Sequence, residues 1–203
     1  MMTGGYEGSV RSHPSCYRTE ARFTFIMRIR DSRGFAIVDL LFTCGIIGIL
    51  AAIGIPRFAV AKNAASAGSA IGSLRVIISA ELSFAISCGG GFYAPSLTAL
   101  GTAPPGSATA FIFDDLGNAD IVGRPGYNIE LTATPVPVSP GSCNGIAAGQ
   151  LGQGFRAGAT AIDPANPRSF ATNANGVIWE DPAPLFPIMP DFGEPATGQP
   201  INR

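Results

Sequence analysis

Few residues in this chain of 203 have the type and spacing for chemistry, and the most telling is one carboxylate, Asp39. It is the single charge in residues 35–55, an apolar run of 21 residues closed by Pro56. A carboxylate at the centre of a membrane span costs about 2.5–3.5 kcal/mol by insertion scales, so an acid kept there is a candidate for function. The rest of the catalytic inventory is thin. His13 is the only histidine and precedes the apolar run, so the residues after it can form no Ser-His-Asp triad, Cys-His dyad or histidine metal site. Asp114, Asp115, Asn118 and Asp120 offer oxygen ligands for calcium, but their spacing does not match an EF-hand loop, and a solvated acidic turn is the simpler reading. Gly149-Gln150-Leu151-Gly152-Gln153-Gly154 lacks the lysine and the following helix of a phosphate-binding loop and reads as a glycine-rich connection. Glu180 and Asp181 read as surface. The expectation is a non-enzymatic chain with no catalytic residue, cofactor or metal site.

The elements that would position Asp39 follow from hydrophobic spacing. At about 1.5 Å per residue, a helix over residues 35–55 spans roughly 30 Å, the hydrocarbon thickness of a bilayer. Beyond Pro56 the helical pattern continues: Ala64, Ala67, Ile71, Leu74, Ile78, Leu82 and Ala85 form one apolar stripe, with Asn63, Ser66, Ser69, Ser73, Arg75 and Ser79 opposite. One helix over residues 35–87 is predicted, membrane-spanning in residues 35–55 and amphipathic in residues 56–87. Cys88-Gly89-Gly90-Gly91 ends it, and Pro56 is expected to kink it. Gly45, Gly48, Gly54, Gly68 and Gly72 let neighbouring helices approach closely, as in small-xxx-small membrane packing. Residues 88–180 read as an antiparallel sheet domain with loops, after a short turn at residues 96–100. Strand-like pieces fall at residues 109–113, 126–134, 154–162, 169–172 and 177–180, and Asn173-Ala174-Asn175-Gly176 reads as a hairpin turn. Residues 181–203 carry six prolines and read as an extended tail outside the sheet interior.

Arg28, Arg30 and Arg33 precede Gly34-Phe35-Ala36-Ile37-Val38-Asp39-Leu40-Leu41, which is followed by Gly45-Ile46-Ile47-Gly48-Ile49-Leu50-Ala51-Ala52-Ile53-Gly54-Ile55-Pro56. This stretch resembles the class III signal of type IV pilins and type II secretion pseudopilins, over residues 33–58 only. The resemblance implies that a prepilin peptidase removes residues 1–34 by cutting between Gly34 and Phe35 and then methylates the new N-terminus, Phe35. Pro56 would fall at mature position 22, where the family commonly has its helix-kinking proline. The family normally carries glutamate at the fifth mature position, where this chain has Asp39, an acid shorter by one methylene. The implied fold is α+β, the pilin fold: a long N-terminal helix packed on a C-terminal antiparallel sheet. The implied role of Asp39 is an assembly contact, its carboxylate paired with the free amino group of Phe35 on a neighbouring subunit.

Composition and charge are consistent with that resemblance. At 46% hydrophobic and 13% charged residues, the chain is neither disordered nor a nucleic-acid binder by composition. Residues 1–34 hold six arginines and three acids, whereas the rest holds seven Lys or Arg and eleven Asp or Glu. The positive-inside rule therefore puts the N-terminus in the cytoplasm and the acidic domain outside. A start at Met27 would give Met-Arg-Ile-Arg-Asp-Ser-Arg-Gly, a compact basic leader, and is preferred; a long leader from Met1 is the alternative. Cys16 lies in the leader and Cys44 in the apolar run, which leaves Cys88 and Cys143 in the external part. A disulfide between them is expected in an oxidising compartment, the alternative being two small buried hydrophobes.

The expected function is that of a structural pilus subunit anchored once in the inner (cytoplasmic) membrane and then assembled into an extracellular pilus. Its expected partners are the prepilin peptidase, copies of itself and other pilins in a helical filament, the inner-membrane assembly machinery and, before assembly, membrane lipid. A minor pilin or a pseudopilin of a periplasmic pseudopilus shares the same first helix and is the nearest alternative. A bitopic membrane protein with an external ligand-binding domain is the third reading, one that would not need Gly34-Phe35 at the helix start or an acid at Asp39.

Overall fold

A computed structural model describes residues 37–164 and 166–201 of the chain, which divides into two compact units, Met1–Ile46 and Ile47–Arg203. Gly34 and Phe35, with residues 1–33 including His13, Cys16 and Met27, lie outside the described residues. The described part of the first unit is helical. It is the beginning of α1 (Ile37–Ser87), 51 residues long, which continues into the second unit. Alanine, isoleucine and leucine supply much of α1, and Pro56 sits inside it. Lacking an N–H, Pro56 leaves the Ala52 carbonyl without its helical donor, the condition that bends helices.

The second unit is the last part of α1 packed against a six-stranded antiparallel sheet, an α+β layout. Its strands are β1 (Ile121–Arg124), β2 (Tyr127–Thr132), β3 (Arg156–Ala161), β4 (Ser169–Asn173), β5 (Ile178–Asp181) and β6 (Gln199–Pro200), hydrogen-bonded in that order. Each strand therefore pairs with its sequence neighbour, and the register sets Ile129 beside Ala159 and Ala159 beside Phe170. The two-residue reversal between β1 and β2 uses Gly126 at φ +82°, and the β4–β5 hairpin uses Gly176 at φ +74°, a conformation glycine adopts without steric cost. Between α1 and β1 stand two short helices, α2 (Leu97–Gly101), whose first turn is capped by the Ser96 hydroxyl accepting from the Ala99 N–H, and α3 (Asp114–Gly117).

The expected strand at residues 109–113 is irregular. The Phe111 and Ile112 N–H groups donate to the Leu100 carbonyl, which keeps the segment against α2 and away from the sheet. The buried stripe of α1 also differs from the expected one. Ala67, Ala70, Leu74, Ile77, Glu81 and Phe84 face the sheet, Leu82 is exposed, and Ser73, expected on the polar face, is buried. The observed 3-4-3-4-3 spacing keeps one line on a 3.6-residue helix, whereas the consecutive fours that place Leu82 and its neighbours drift around it. Together with Tyr127, Ile129, Leu131, Ala157, Ala159 and Phe170 the stripe makes one core. Fully burying a side chain of Leu, Ile or Phe size is worth about 1.5–3 kcal/mol.

The proline-rich segment after β5 is not a free tail. It crosses the sheet face opposite α1, where Leu185 and Met189 are buried with Ala171. Gly158 has no Cβ there, and a methyl group at that position would collide with Phe186. The crossing is tied down by Arg156 with Asp191 (3.0 Å) and by the Asn173 amide donating to the Pro190 and Gly193 carbonyls. The chain then returns as β6 at the sheet edge, the position in which a strand tolerates proline.

Candidate functional site

The candidate site is the exposed apolar beginning of α1, and its chemistry is that of a surface. Ile37, at 77% exposure, heads a series in which Val38, Leu40, Leu41, Phe42 and Ile46 of the first unit are all exposed. In the second unit Ile47, Ile49, Leu50, Ile53, Ile55 and Phe58 are likewise uncovered. Soluble monomers rarely expose contiguous apolar area beyond a few hundred Å², so residues of this kind mark a surface that lipid or other protein covers. By length and composition α1 is apolar enough to cross a membrane. Between its ends the backbone N–H and C=O groups bond within the helix, as hydrocarbon requires, the Ala52 carbonyl opposite Pro56 excepted.

Asp39 lies in the first turn of α1 and is exposed. Carboxylates are favoured there by the positive end of the helix dipole. Among the described residues it makes no hydrogen bond or ion pair, so its expected partner at Phe35 stays untouched by the structure. Pro56 lies inside α1. Gly45, Gly48, Gly54, Gly68 and Gly72 all open onto free space, with no atom within 4 Å of where a Cβ would stand. Cys44 is a free exposed cysteine on the same helix.

Cys88 and Cys143 form a disulfide that closes a separation of 55 residues. A loop of that size corresponds to about 4 kcal/mol in the chain-entropy treatment. Its surroundings are built around Asn144, whose amide donates to the Ala99 and Thr102 carbonyls, so the bridge and α2 are held together. Three of the four calcium candidates have other work. Asp115 pairs with Arg124, Asp120 accepts the Thr98 hydroxyl (2.6 Å), and Asn118 caps the end of α3. The Thr98 bonds hold the Asp120 carboxyl below its usual range. Among the described residues, no group of three or more His, Cys, Asp or Glu side chains comes together. The glycine-rich connection runs along the core, with Gly152 and Tyr93 exchanging backbone hydrogen bonds.

Sequence reasoning passed over Glu81. It is 0% exposed, with one carboxylate oxygen accepting from the Ala94 N–H at 2.9 Å and the other without a partner among the described residues. Burial pushes its carboxyl up to about 8, against the smaller lowering effect of that amide. The signal was available: Glu81 continues the Ala67, Ala70, Leu74, Ile77 line at the next step of four, an acid placed where the spacing demands an apolar residue.

Comparisons with known proteins leave the chain to its own features, since no family model, no curated protein and no solved structure matches it.

Proposed function

We propose that this chain is a structural, non-enzymatic subunit of a type IV pilus, cut after Gly34, methylated at Phe35 and assembled through the apolar part of α1. The observation that carries the reading is the exposed helical surface from Ile37 to Phe58, headed by Asp39 and preceded in sequence by Gly34-Phe35. Before assembly, lipid covers that surface, with the disulfide-bonded domain on the external side. In the filament, helices of neighbouring copies replace the lipid. A buried ion pair broken at one partner costs about 3–5 kcal/mol, so an Asp39 carboxylate without its neighbour's Phe35 amine is strongly disfavoured there. This fixes the axial register of an incoming subunit. A pseudopilin or minor pilin uses the same helix in the same way and differs in abundance and in the filament it joins.

Mass spectrometry of the chain recovered from sheared surface filaments and from membranes tests this. The expected product begins at N-methylated Phe35 in both fractions, and the Asp39→Ala variant is processed identically but missing from the filament fraction. A chain still carrying residues 28–34, or normal filament yield from Asp39→Ala, would overturn it. Mature chain found only in a periplasmic, cell-bound fraction would assign the pseudopilin alternative.

A further inference from the structure

Glu81 stands at the point where the chain turns back on α1. After Ser87 the helix closes with Cys88 and Gly89 N–H groups both donating to the Phe84 carbonyl, and Gly90 and Gly91 reverse the chain at φ +60° and +94°. The returning segment, residues 92–95, is gripped from two sides. Tyr93 exchanges backbone hydrogen bonds with Gly152, and Ala94, itself fully buried, donates to the Glu81 carboxyl across 13 residues of sequence. This segment leads directly into the Ser96 cap and α2, whose Leu100 carbonyl in turn holds Phe111 and Ile112. The Glu81 contact thus anchors residues 92–95, the entry to the connection between α1 and β1, while further along Asn144 holds α2 and Phe84 packs on Phe111.

The second carboxyl oxygen of Glu81 is the weak point. It is buried and, among the described residues, has no hydrogen-bond partner. The charged and titratable groups on the elements around it are engaged elsewhere: Asp115 with Arg124, Asp120 with Thr98, Arg156 with Asp191, and the Tyr127 hydroxyl with Asn166. Asp114, Glu130 on β2 and Tyr93 on the returning segment make no bond to Glu81 either, and Arg75, on its own helix, is exposed. An ionised Glu81 would therefore be a buried charge with a single amide for compensation, whereas the protonated form leaves only a neutral hydroxyl unpaired.

We propose that Glu81 is a proton-operated latch: protonated, it seals residues 92–95 onto α1, and on losing its proton it releases that segment. A released carboxyl is solvated by bulk water. The direction follows from linkage. The closed form holds the Glu81 proton up to about pH 8, while the open, solvated form loses it near the ordinary value of 4.5, so closure is favoured at low pH and weakens as pH rises between those values. Above about 8 both forms are ionised and the dependence ends.

Amide hydrogen exchange on the full chain in detergent micelles, disulfide intact, decides the proposal when corrected for intrinsic base catalysis. Protection at Ala94 is expected to fall about tenfold per pH unit from pH 5 to 8 and to level off above it, one proton being released per opening. The carbon-13 signal of the Glu81 carboxyl should titrate with a midpoint near 8, and Glu81→Gln should make Ala94 protection independent of pH. Flat protection at Ala94 in the unaltered chain, or a carboxyl midpoint near 4.5, would overturn the latch. An equal slope at Ile129 and Phe170 would also overturn it, because the whole fold and not the latch would then be opening. The measurements on the unaltered chain decide the matter even where Glu81→Gln fails to fold.

Discussion

Phe58 and Phe84 belong to the same helix, yet Phe58 is 74% exposed and Phe84 is completely buried. Around Phe58 the apolar residues occur on all sides of α1, so no single face is marked for a partner element within the chain. Around Phe84 the buried residues keep to one line, with Leu82 and Ile86 off it and exposed, and serines occupy much of the remainder, Ser79, Ser83 and Ser87 donating back to carbonyls one turn earlier. A helix apolar all round must be enclosed by lipid or by other helices, whereas a helix apolar on one stripe can finish its burial on a sheet. The difference teaches that burial in this chain is decided by how apolar residues are arranged around the helix. Their number is similar in both stretches. The sheet repeats the lesson, since its second face is closed by Leu185, Phe186 and Met189 approaching over Gly158 and Ala171, small residues that leave room.

Truncating the two phenylalanines is the sharpest test of that contrast. Phe84→Ala removes a ring packed edge-on against Phe111 and touching the reversal at Gly89, and should destabilise the domain by about 3–5 kcal/mol in denaturant unfolding of the full chain in micelles. Phe58→Ala should change the same transition by less than about 0.5 kcal/mol, as a surface substitution does. Comparable losses at both positions would show that residue 58 is enclosed within the chain and would erase the distinction. Next in size is the disulfide, which belongs wholly to the sealed part. Cys88→Ser with Cys143→Ser should lower stability by about 2–4 kcal/mol, and reduction of the unaltered chain should reproduce the loss. Replacing the free Cys44 by serine should leave that transition where it was.

Much of this architecture was legible in the sequence, and the exceptions have physical causes. The helix over residues 37–87, its glycine stop, the Cys88–Cys143 link and the hairpin at residues 173–176 are strong local signals, each set by neighbouring residues or by the elimination of other cysteines. β1 was missed because four residues with an exposed-buried alternation around Gly123 carry little pattern, and its pairing with β2 is what makes it a strand. Residues 109–113 have strand composition, but tertiary hydrogen bonding to Leu100 outweighs it. The closure of the outer face by a proline-rich segment could not be read from periodicity, since it depends on Gly158 lacking a side chain opposite Phe186. At the candidate site, Asp39 stood out because charge is rare in an apolar run. Glu81 was passed over because the stripe read from the sequence ran through Ile78 and Leu82 instead of Ile77 and Glu81.

Gly48 offers the finest test, because it distinguishes a bare helix from one waiting for a neighbour. A methyl group added there meets nothing within 4 Å, so Gly48→Ala carries no steric cost in the single chain. Alanine is the better helix former by about 0.8–1.0 kcal/mol, and helix content in micelles should hold to a slightly higher temperature. If, as proposed, the chain assembles into a filament and neighbouring helices pack on this face, the same methyl group keeps their backbones apart and filament yield should fall while helix stability rises. The two readouts then move in opposite directions, which no defect in folding can produce. Filament yield that rises or stays level with Gly48→Ala would instead turn this glycine toward lipid and move the helix contact to another face of α1.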